Sequence, residues 1–452
     1  MSAASLAPLF NKVLIANRGE IALRVQRACR ELGIQTVMVY SEGDSSAKYL
    51  RLADEVVCIG PAPISASYLN GAAIIAAAEI TGAQAIHPGY GLLSENADFA
   101  EQVEKSGFTF IGPSADIIRL MGDKIAAKTT VKKYNLKTIP GVEGALPADV
   151  GEAATLIAKI GFPTVIKAAA GGGGRGMRVV HSEVQTRNIL PVLRSEARAA
   201  FGDDTVYAER FLDNPRHIEV QVLADGKNAI HLGTRDCSLQ RRHQKVLEEA
   251  PAFDVPQKKH DAICEACATM CRKIGYQGAG TFEFLYADQE FYFIEMNTRV
   301  QVEHPVSEMI TGVDIVAQQI RIAAGQPLAY RQKDILFRGH AIECRINAED
   351  PKTFLPAPGR IDMYHPPGGI GVRVDSHIFS GYEVPPYYDS LIAKLVVHAD
   401  TRAAALVRLR SVLREFVITG ISTTLPLHEE LAEDEVFISG KAGIAFLETR
   451  KQ

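Results

Sequence analysis

Residues 12–32, KVLIANRGEIALRVQRACREL, set the class of the fold. A short apolar, β-branched run, KVLIAN, gives way to a helix-like segment from about Glu20 to Leu32. The same rhythm continues through TVMVY, VVCIG, a helix near Ala72 to Glu79, AIHPG and FTFIG, up to about residue 112. Alternation of strand and helix argues for a parallel, doubly wound α/β sheet. The first turn reads NRGEIA and lacks the G-x-G-x-x-G that lets a backbone approach a pyrophosphate, so a nicotinamide or flavin cofactor is not expected.

Beyond this segment the pattern changes. From Ser114 to about Lys137, around MGDKIAAKTTVKKYNL, it is helical and charged, and Pro140-Gly141 closes it. A strand-like TVIKAAA, four glycines, a second strand MRVVH and an amphipathic helix over 183–200 then suggest a small α+β lid. After Asp204 the strands read as antiparallel: TVYAERFL, HIEVQVLAD, NAIHLGT and the hairpin GTFEFLYADQEFYFIEMN, whose turn is ADQE. The remainder is mixed α/β. The expected division is 1–112, a helical linker 113–138, a lid 139–212 and a C-terminal domain 213–452.

Composition narrows the function. With 47% hydrophobic and 23% charged residues and a net charge of only −4, the chain offers no general field for nucleic acid or an anionic membrane. An anionic substrate would need a local cluster of cations. Seven scattered cysteines and no signal-like N-terminus fit a reducing cytoplasm. The longest apolar run, GAAIIAAAEI, is too short to cross a bilayer, which takes about 20 residues. Cys264, Cys267 and Cys271 fall at i, i+3, i+7 in HDAICEACATMCRKIG and read as a buried helix face rather than a metal cluster.

Three features carry chemistry. Gly171 to Gly174, followed by Arg175 and Gly176, form a side-chain-free surface that can aim N–H groups at phosphate oxygens; a flexible loop is the alternative. Met177-Arg178 opens a strand, so this is a flap rather than a Walker loop, with Lys167 and Lys124 as candidates to neutralise phosphate. Second, Glu295, Asn297, Arg299, Gln301 and Glu303 alternate at i, i+2 and would share one face of an extended segment, with Glu283 within about one residue of lying opposite Glu295. Carboxylate and amide oxygens placed so close suit Mg²⁺; an exposed hairpin with salt bridges to Arg299 is the alternative. Third, Gln240 to Lys245 is a basic run, either a solvated face or an anion site inside a cleft. It lacks the interleaved aromatic side chains that stack nucleic-acid bases.

Taken in order, IANRGEIALR, HPGYGLLSEN, MGDK, KAAAGGGGRGM, DCSLQRRHQK, EEAP, FIEMNTRVQVEHPVSE, GHAIECRINAEDP and PPYYDS resemble the biotin carboxylases from about Asn11 to Lys441. The resemblance implies an ATP-grasp architecture: a Rossmann-like N-terminal domain, a mobile lid carrying the glycine flap, and a large C-terminal mixed α/β domain. It implies that Lys124, Lys167 and flap residues Gly172, Gly173 and Gly174 meet ATP phosphates. Glu209, Arg210, Leu212, His217, Gln240 and His243 match the family's adenine- and ribose-contacting residues. Arg210 stands where family members tend to have lysine. Glu283, Glu295 and Asn297 match the residues that hold the metal, with two Mg²⁺ or Mn²⁺ ions expected. Lys245, Arg299, Gln301 and Val302 match the bicarbonate site, Glu303 the general base, and Arg345 the arginine that meets biotin.

The implied reaction has bicarbonate, deprotonated by Glu303, attack the γ-phosphorus of ATP to give carboxyphosphate. This breaks down to CO₂ and phosphate, and the biotin nitrogen then attacks CO₂. None of the eight methionines is followed by lysine, the pairing typical of a biotin acceptor, so the biotin is expected on a separate carrier protein. The resemblance further implies a homodimer working with a carboxyltransferase in a multi-subunit acetyl-CoA carboxylase. A pyruvate or other acyl-CoA carboxylase subunit, another ATP-grasp ligase that hands an acyl phosphate to an amine, and a nucleotide-binding regulatory subunit are the alternatives.

Overall fold

The computed structural model describes residues 9–170 and 176–450. The N-terminal alternation folds as expected into a five-stranded parallel sheet in the order β3-β2-β1-β4-β5. Its strands are β1 (Lys12–Ile15), β2 (Gln35–Tyr40), β3 (Glu55–Cys58), β4 (Ala85–His87) and β5 (Thr109–Phe110). Helices α1 (Gly19–Glu31), α2 (Gly71–Thr81) and α3 (Ala97–Lys105) connect them. β1 is buried on both faces, as a parallel strand between helices must be.

Helices α4 (Ala115–Gly122) and α5 (Lys124–Lys132) follow. Asp123 starts the second by accepting from the N–H groups of Ile125 and Ala126, both at 2.9 Å, which fixes Lys124 as its first residue. A three-stranded antiparallel sheet of β7 (Met177–Val180), β6 (Thr164–Ala168) and β8 (Val206–Arg210) packs on α6 (Val150–Ile160) and α7 (Glu183–Phe201).

The largest sheet has eight strands in the order β13-β12-β9-β10-β11-β14-β19-β17. These are β9 (Arg216–Asp225), β10 (Ala229–Arg241), β11 (Gln244–Ala250), β12 (Gln277–Ala287), β13 (Glu290–Asn297), β14 (His340–Asn347), β17 (Val372–Ser376) and β19 (Leu391–Ala399). Two short pairs, β15 (Gly359–Arg360) with β18 (Glu383–Val384) and β16 (Met363–His365) with β20 (Val417–Thr419), complete the strands. Helices α8 (Gln257–Ile274), α9 (His304–Thr311), α10 (Ile315–Ala323), α11 (Arg402–Glu415) and α12 (Leu425–Ala432) cover the sheet.

Period two divides the residues of β9, β12 and β13 between two faces. Ile218, Val220, Phe282, Phe284, Phe293 and Met296 are buried in one core with Cys264, Cys267 and Cys271 of α8. The cysteines are free and lie along a helix face, as their spacing suggested. The opposite face is polar and builds the site. The β12–β13 turn is Asp288-Gln289, both at positive φ, the conformation that matches the twist of a two-residue hairpin. No helix among the described residues is long and apolar enough to cross a membrane.

One expectation is corrected. The alternation from Glu295 to Glu303 reads as one extended strand, but β13 ends at Asn297 and α9 begins at His304. Glu95 draws the chain out of the ladder: its carboxylate accepts from Thr298 N at 3.0 Å and from Arg299 Nε at 2.7 Å. Glu303 therefore stands just before the first turn of α9 without capping it through its side chain, which meets Lys245 and Arg345, and Pro305 follows at a first-turn position where its missing N–H costs nothing.

Candidate active site

Three carboxylates stand abreast on the polar face. Glu219 on β9 pairs with Glu283 on β12, and Glu283 pairs with Glu295 on β13. A bulge between Phe293 and Glu295 inserts Ile294 and re-phases β13, so Glu295 and Phe293 point to opposite faces although they are two residues apart. Like charges placed directly across a ladder repel, so this row exists only with cations to hold it.

Lys245 is the principal one. Its Nζ contacts Glu219, lies 3.0 Å from Glu283 Oε1 and 2.7 Å from Glu303 Oε1, so one ammonium gathers three buried carboxylates. Arg235, wholly buried on β10 opposite Glu219, lies 2.8 Å from Glu219 Oε2 and donates to Gln221, Thr281 and Ser307. His217 Nε2 sits 3.4 Å from Glu219 and 3.2 Å from Glu283. Burial alone would lower its pKa, but Glu283 and Glu219 hold it up at about 9, so it is a cation at neutral pH. Burial, the largest influence, pushes the carboxyls of Glu219, Glu283 and Glu303 up; Lys245, together with Arg235 and His217 at Glu219, with His217 at Glu283, and with Arg345 and Arg235 at Glu303, outweighs it and holds all three below the ordinary glutamate value. Glu303 is thus ionised across the neutral range.

The segment beyond β13 curls onto this row. Asn297 Nδ2 and Gln301 Nε2 donate to Glu283 Oε1 at 2.8 and 3.1 Å. Arg299 donates to Asn297 Oδ1 at 3.0 Å and to Gln301 Oε1 at 2.8 Å. Arg345 on β14 reaches Glu303 Oε2 at 3.0 Å, and Lys394 of β19 donates to the Val302 carbonyl at 2.9 Å. Leaving the ladder has not dispersed these residues; Asn297 and Gln301 meet Glu283, Glu303 meets Lys245, and Arg299 bridges Asn297 and Gln301.

A second group lies on the three-stranded sheet. Lys167 Nζ is 2.9 Å from Glu209 Oε2, Lys128 of α5 contacts Glu209 Oε1, and Lys124 lies 3.3 Å from Glu295, joining the two groups. Lys128 rests over the Tyr207 ring at 4.0 Å, and its burial lowers its pKa to about 8. Gln240, buried, donates to the Cys237 carbonyl at 2.8 Å. Leu212 is buried at the end of this region, and Arg210, the last residue of β8, donates its backbone N–H to Pro140. His243 is exposed at the β10–β11 turn, where it and Arg242 take positive φ. Among the described residues no side-chain hydrogen bond or ion pair joins Arg210, Leu212 or His243 to either group. Gly172, Gly173 and Gly174 lie outside the described residues.

Sequence reasoning missed Glu219, Arg235, Lys128, Glu95 and Lys394. Glu219 was detectable, because Ile218, Val220 and Val222 alternate with Glu219 and Gln221 in HIEVQV. Lys128 and Glu95 act across large sequence separations and left no local signal. The basic run divides: Lys245 turns inward, while Arg242 and His243 form the turn.

Comparison with known proteins gives the same answer along the whole chain. The family model described as biotin carboxylase, N-terminal domain, matches residues 9–118. That of the carbamoyl-phosphate synthase L chain, ATP binding domain, matches 123–331, and that of the biotin carboxylase C-terminal domain matches 343–449. The biotin carboxylase of Pseudomonas aeruginosa is 60% identical over 98% of this chain and 99% of its own. The Campylobacter jejuni biotin carboxylase complex with a β,γ-ATP ligand superposes with a TM-score of 0.95 at 51% identity, covering 98% of this chain and 99% of that one. The biotin carboxylase domain dimer of Hydrogenobacter thermophilus 2-oxoglutarate carboxylase, bound to MgADP, ADP and bicarbonate, gives a TM-score of 0.93 at 50% identity over 98% of each chain. The chain belongs to the biotin carboxylase family, with an ATP-grasp fold, and is an ATP-dependent ligase.

Proposed function

We propose that this chain uses ATP and bicarbonate to carboxylate the biotin of a separate carrier protein, and that the residues gathered by Lys245 carry the reaction. The observation that supports this most is one ammonium shared by Glu219, Glu283 and Glu303, with Arg345 against Glu303: a base held ionised between two cations where an anionic substrate has to react.

On this reading Lys245, Arg299, Gln301 and the Val302 backbone hold bicarbonate, and Glu303 takes its proton. The freed oxygen attacks the γ-phosphorus as the bond to ADP breaks, giving carboxyphosphate. Lys124 and Lys167 neutralise charge on the phosphates. Carboxyphosphate divides into CO₂ and phosphate, the phosphate accepts the biotin N1′ proton, and the nitrogen attacks CO₂ while Arg345 stabilises the ureido oxygen. Glu209, Arg210, Leu212, His217, Gln240 and His243 are assigned to the nucleoside side, and Gly172, Gly173 and Gly174 to the phosphates.

The donor set at Glu283, Glu295 and Asn297, two carboxylates and an amide oxygen, fits Mg²⁺ or Mn²⁺, and the direct cross-strand pairing of the two glutamates needs a positive charge. A divalent cation bound there supplies charge neutralisation at the nucleotide phosphates. The chain divides in this reading into 1–112, 113–138, 139–212 and 213–452, corresponding to the parallel sheet, α4–α5, the three-stranded sheet and the large sheet.

The H. thermophilus relative, a dimer bound to MgADP and bicarbonate, supports a homodimer and the same ligands here. The near full-length match to biotin carboxylases supports a biotin carrier protein as partner; a carboxyltransferase, in a cytoplasmic multi-subunit acetyl-CoA carboxylase, completes this reading. A pyruvate or other acyl-CoA carboxylase remains the second reading, because the same module occurs in the 2-oxoglutarate enzyme. The test is transfer of label from bicarbonate to free biotin. ATP-dependent, acid-labile labelled carboxybiotin is expected; ATP turnover that ignores both bicarbonate and biotin but responds to an amine acceptor would contradict the assignment.

A further inference from the structure

Two buried carboxyls behind Arg345 have no part in the chemistry above. Glu248 of β11 and Glu343 of β14 are direct partners across the antiparallel ladder, and both are fully buried. Glu248 Oε1 accepts from Arg345 Nε at 2.6 Å and lies 2.5 Å from Arg345 Nη2, the same nitrogen that is 3.0 Å from Glu303 Oε2. The guanidinium is thus clamped between the base and Glu248. Among the described residues, Glu248 Oε2 and both Glu343 oxygens have no hydrogen-bond partner.

The charged groups facing the pair are few. Arg345 shares their strand ladder, Lys245 lies on β11, Glu303 at the start of α9, and Lys394 on β19. Lys245 is engaged by Glu219, Glu283 and Glu303, and Lys394 by Glu20 at 3.1 Å and the Val302 carbonyl. Two ionised carboxylates side by side in a dry interior with one shared arginine would be costly. One proton removes the conflict: a protonated Glu343 could donate to Glu248 Oε2 across the ladder, which would engage one orphaned oxygen of each group.

We propose that Glu248 and Glu343 share one proton as an acid–carboxylate pair that positions Arg345, with Glu343 orienting Glu248 and Glu248 fixing the guanidinium beside Glu303. The proposal rests on the reading that Arg345 meets biotin. Burial drives both carboxyls in the required direction, Glu343 well above the ordinary value and Glu248 to about 7, against the opposing pull of neighbouring cations. Glu248 and Glu343 are positioning residues; neither is placed to touch substrate.

The test compares Glu248→Gln, Glu343→Gln, Glu343→Leu and Arg345→Gln by the ratio of biotin-dependent to biotin-independent ATP hydrolysis, a readout that general loss of structure would not shift. Glu248→Gln is expected to lower this ratio about tenfold or more, and Glu343→Leu likewise. Glu343→Gln, whose amide N–H replaces the hydroxyl, should keep it within about threefold. A ratio that falls in Arg345→Gln but survives Glu248→Gln, or equal effects of the Gln and Leu replacements at 343, overturns the proposal alone. A ratio that survives Arg345→Gln overturns the assignment of Arg345, and the proposal with it. Should Glu343→Leu fail to fold, infrared spectroscopy at neutral pH decides: a protonated-carboxyl band lost in Glu343→Gln is expected, and its absence from the unaltered protein refutes the pair.

Discussion

Glu283 and Glu295 are direct cross-strand partners, two carboxylates facing each other on the polar side of the β12–β13 hairpin. Such a pair weakens a sheet by up to roughly 1 kcal/mol unless a cation lies between them. Glu295→Gln should therefore leave the metal-free protein as stable as before or slightly more so, while raising the Mg²⁺ concentration for half-maximal turnover about tenfold. Melting curves with and without Mg²⁺, together with an Mg²⁺ titration of ATP hydrolysis, check both halves.

Arg235 and Glu219 are both fully buried, and Arg235 also donates to Gln221, Thr281 and Ser307. Removing one partner strands the other charge in the interior. Arg235→Met is expected to cost about 3–5 kcal/mol in urea unfolding, far more than loss of an exposed ion pair. A loss below about 1 kcal/mol would mean that Glu219 is held by Lys245 and His217 alone.

Lys128 was not among the residues suggested by the sequence, yet it contacts one carboxylate oxygen of Glu209 while Lys167 contacts the other. Without it, Lys167 alone must balance Glu209 and is less free to reach a phosphate. Lys128→Met should raise the KM for ATP about tenfold, a loss of about 1.4 kcal/mol. Lys128→Arg should restore most of it. Steady-state kinetics with ATP as the varied substrate decide the matter.

Burial lowers the pKa of His87 and His377 to about 3 and of His428 to about 4. In the unfolded chain each titrates near 6.5. Between these values the unfolded state binds more protons, so their contribution to stability is complete above pH 6.5 and is lost as pH falls towards 4 for His428 and towards 3 for His87 and His377. The slope of unfolding free energy against pH in that window should fall by about 1.4 kcal/mol per pH unit when one of these histidines is replaced, for example by His428→Gln. Urea titrations at pH 6.5, 5.5 and 4.5 provide the measurement.

How much of this could be read in advance differs by element. The parallel sheet, the ADQE hairpin and the cysteine face of α8 follow from periodicity and turn chemistry, which act within a few residues. The eight-stranded order was not legible, because it joins β11 to β14 and β14 to β19 across long connections. The stretch from Glu295 to Glu303 shows the limit most clearly. Its alternation identified residues that do converge, but the convergence comes from a bulge at Ile294, departure from the ladder at Thr298 where Glu95 accepts the N–H, and a helix start at His304. Glu219, Lys128 and Glu248 acquire their importance only from partners brought close by that topology.

Replacement of Glu303 by Gln tests the central claim most directly. It keeps the size of the side chain but removes the carboxylate proposed as the base, a contribution of order 10²- to 10⁴-fold. The expected result is ATP binding within about threefold of the unaltered protein and bicarbonate-dependent ATP turnover reduced at least a hundredfold. Turnover within tenfold of the unaltered protein would contradict the account.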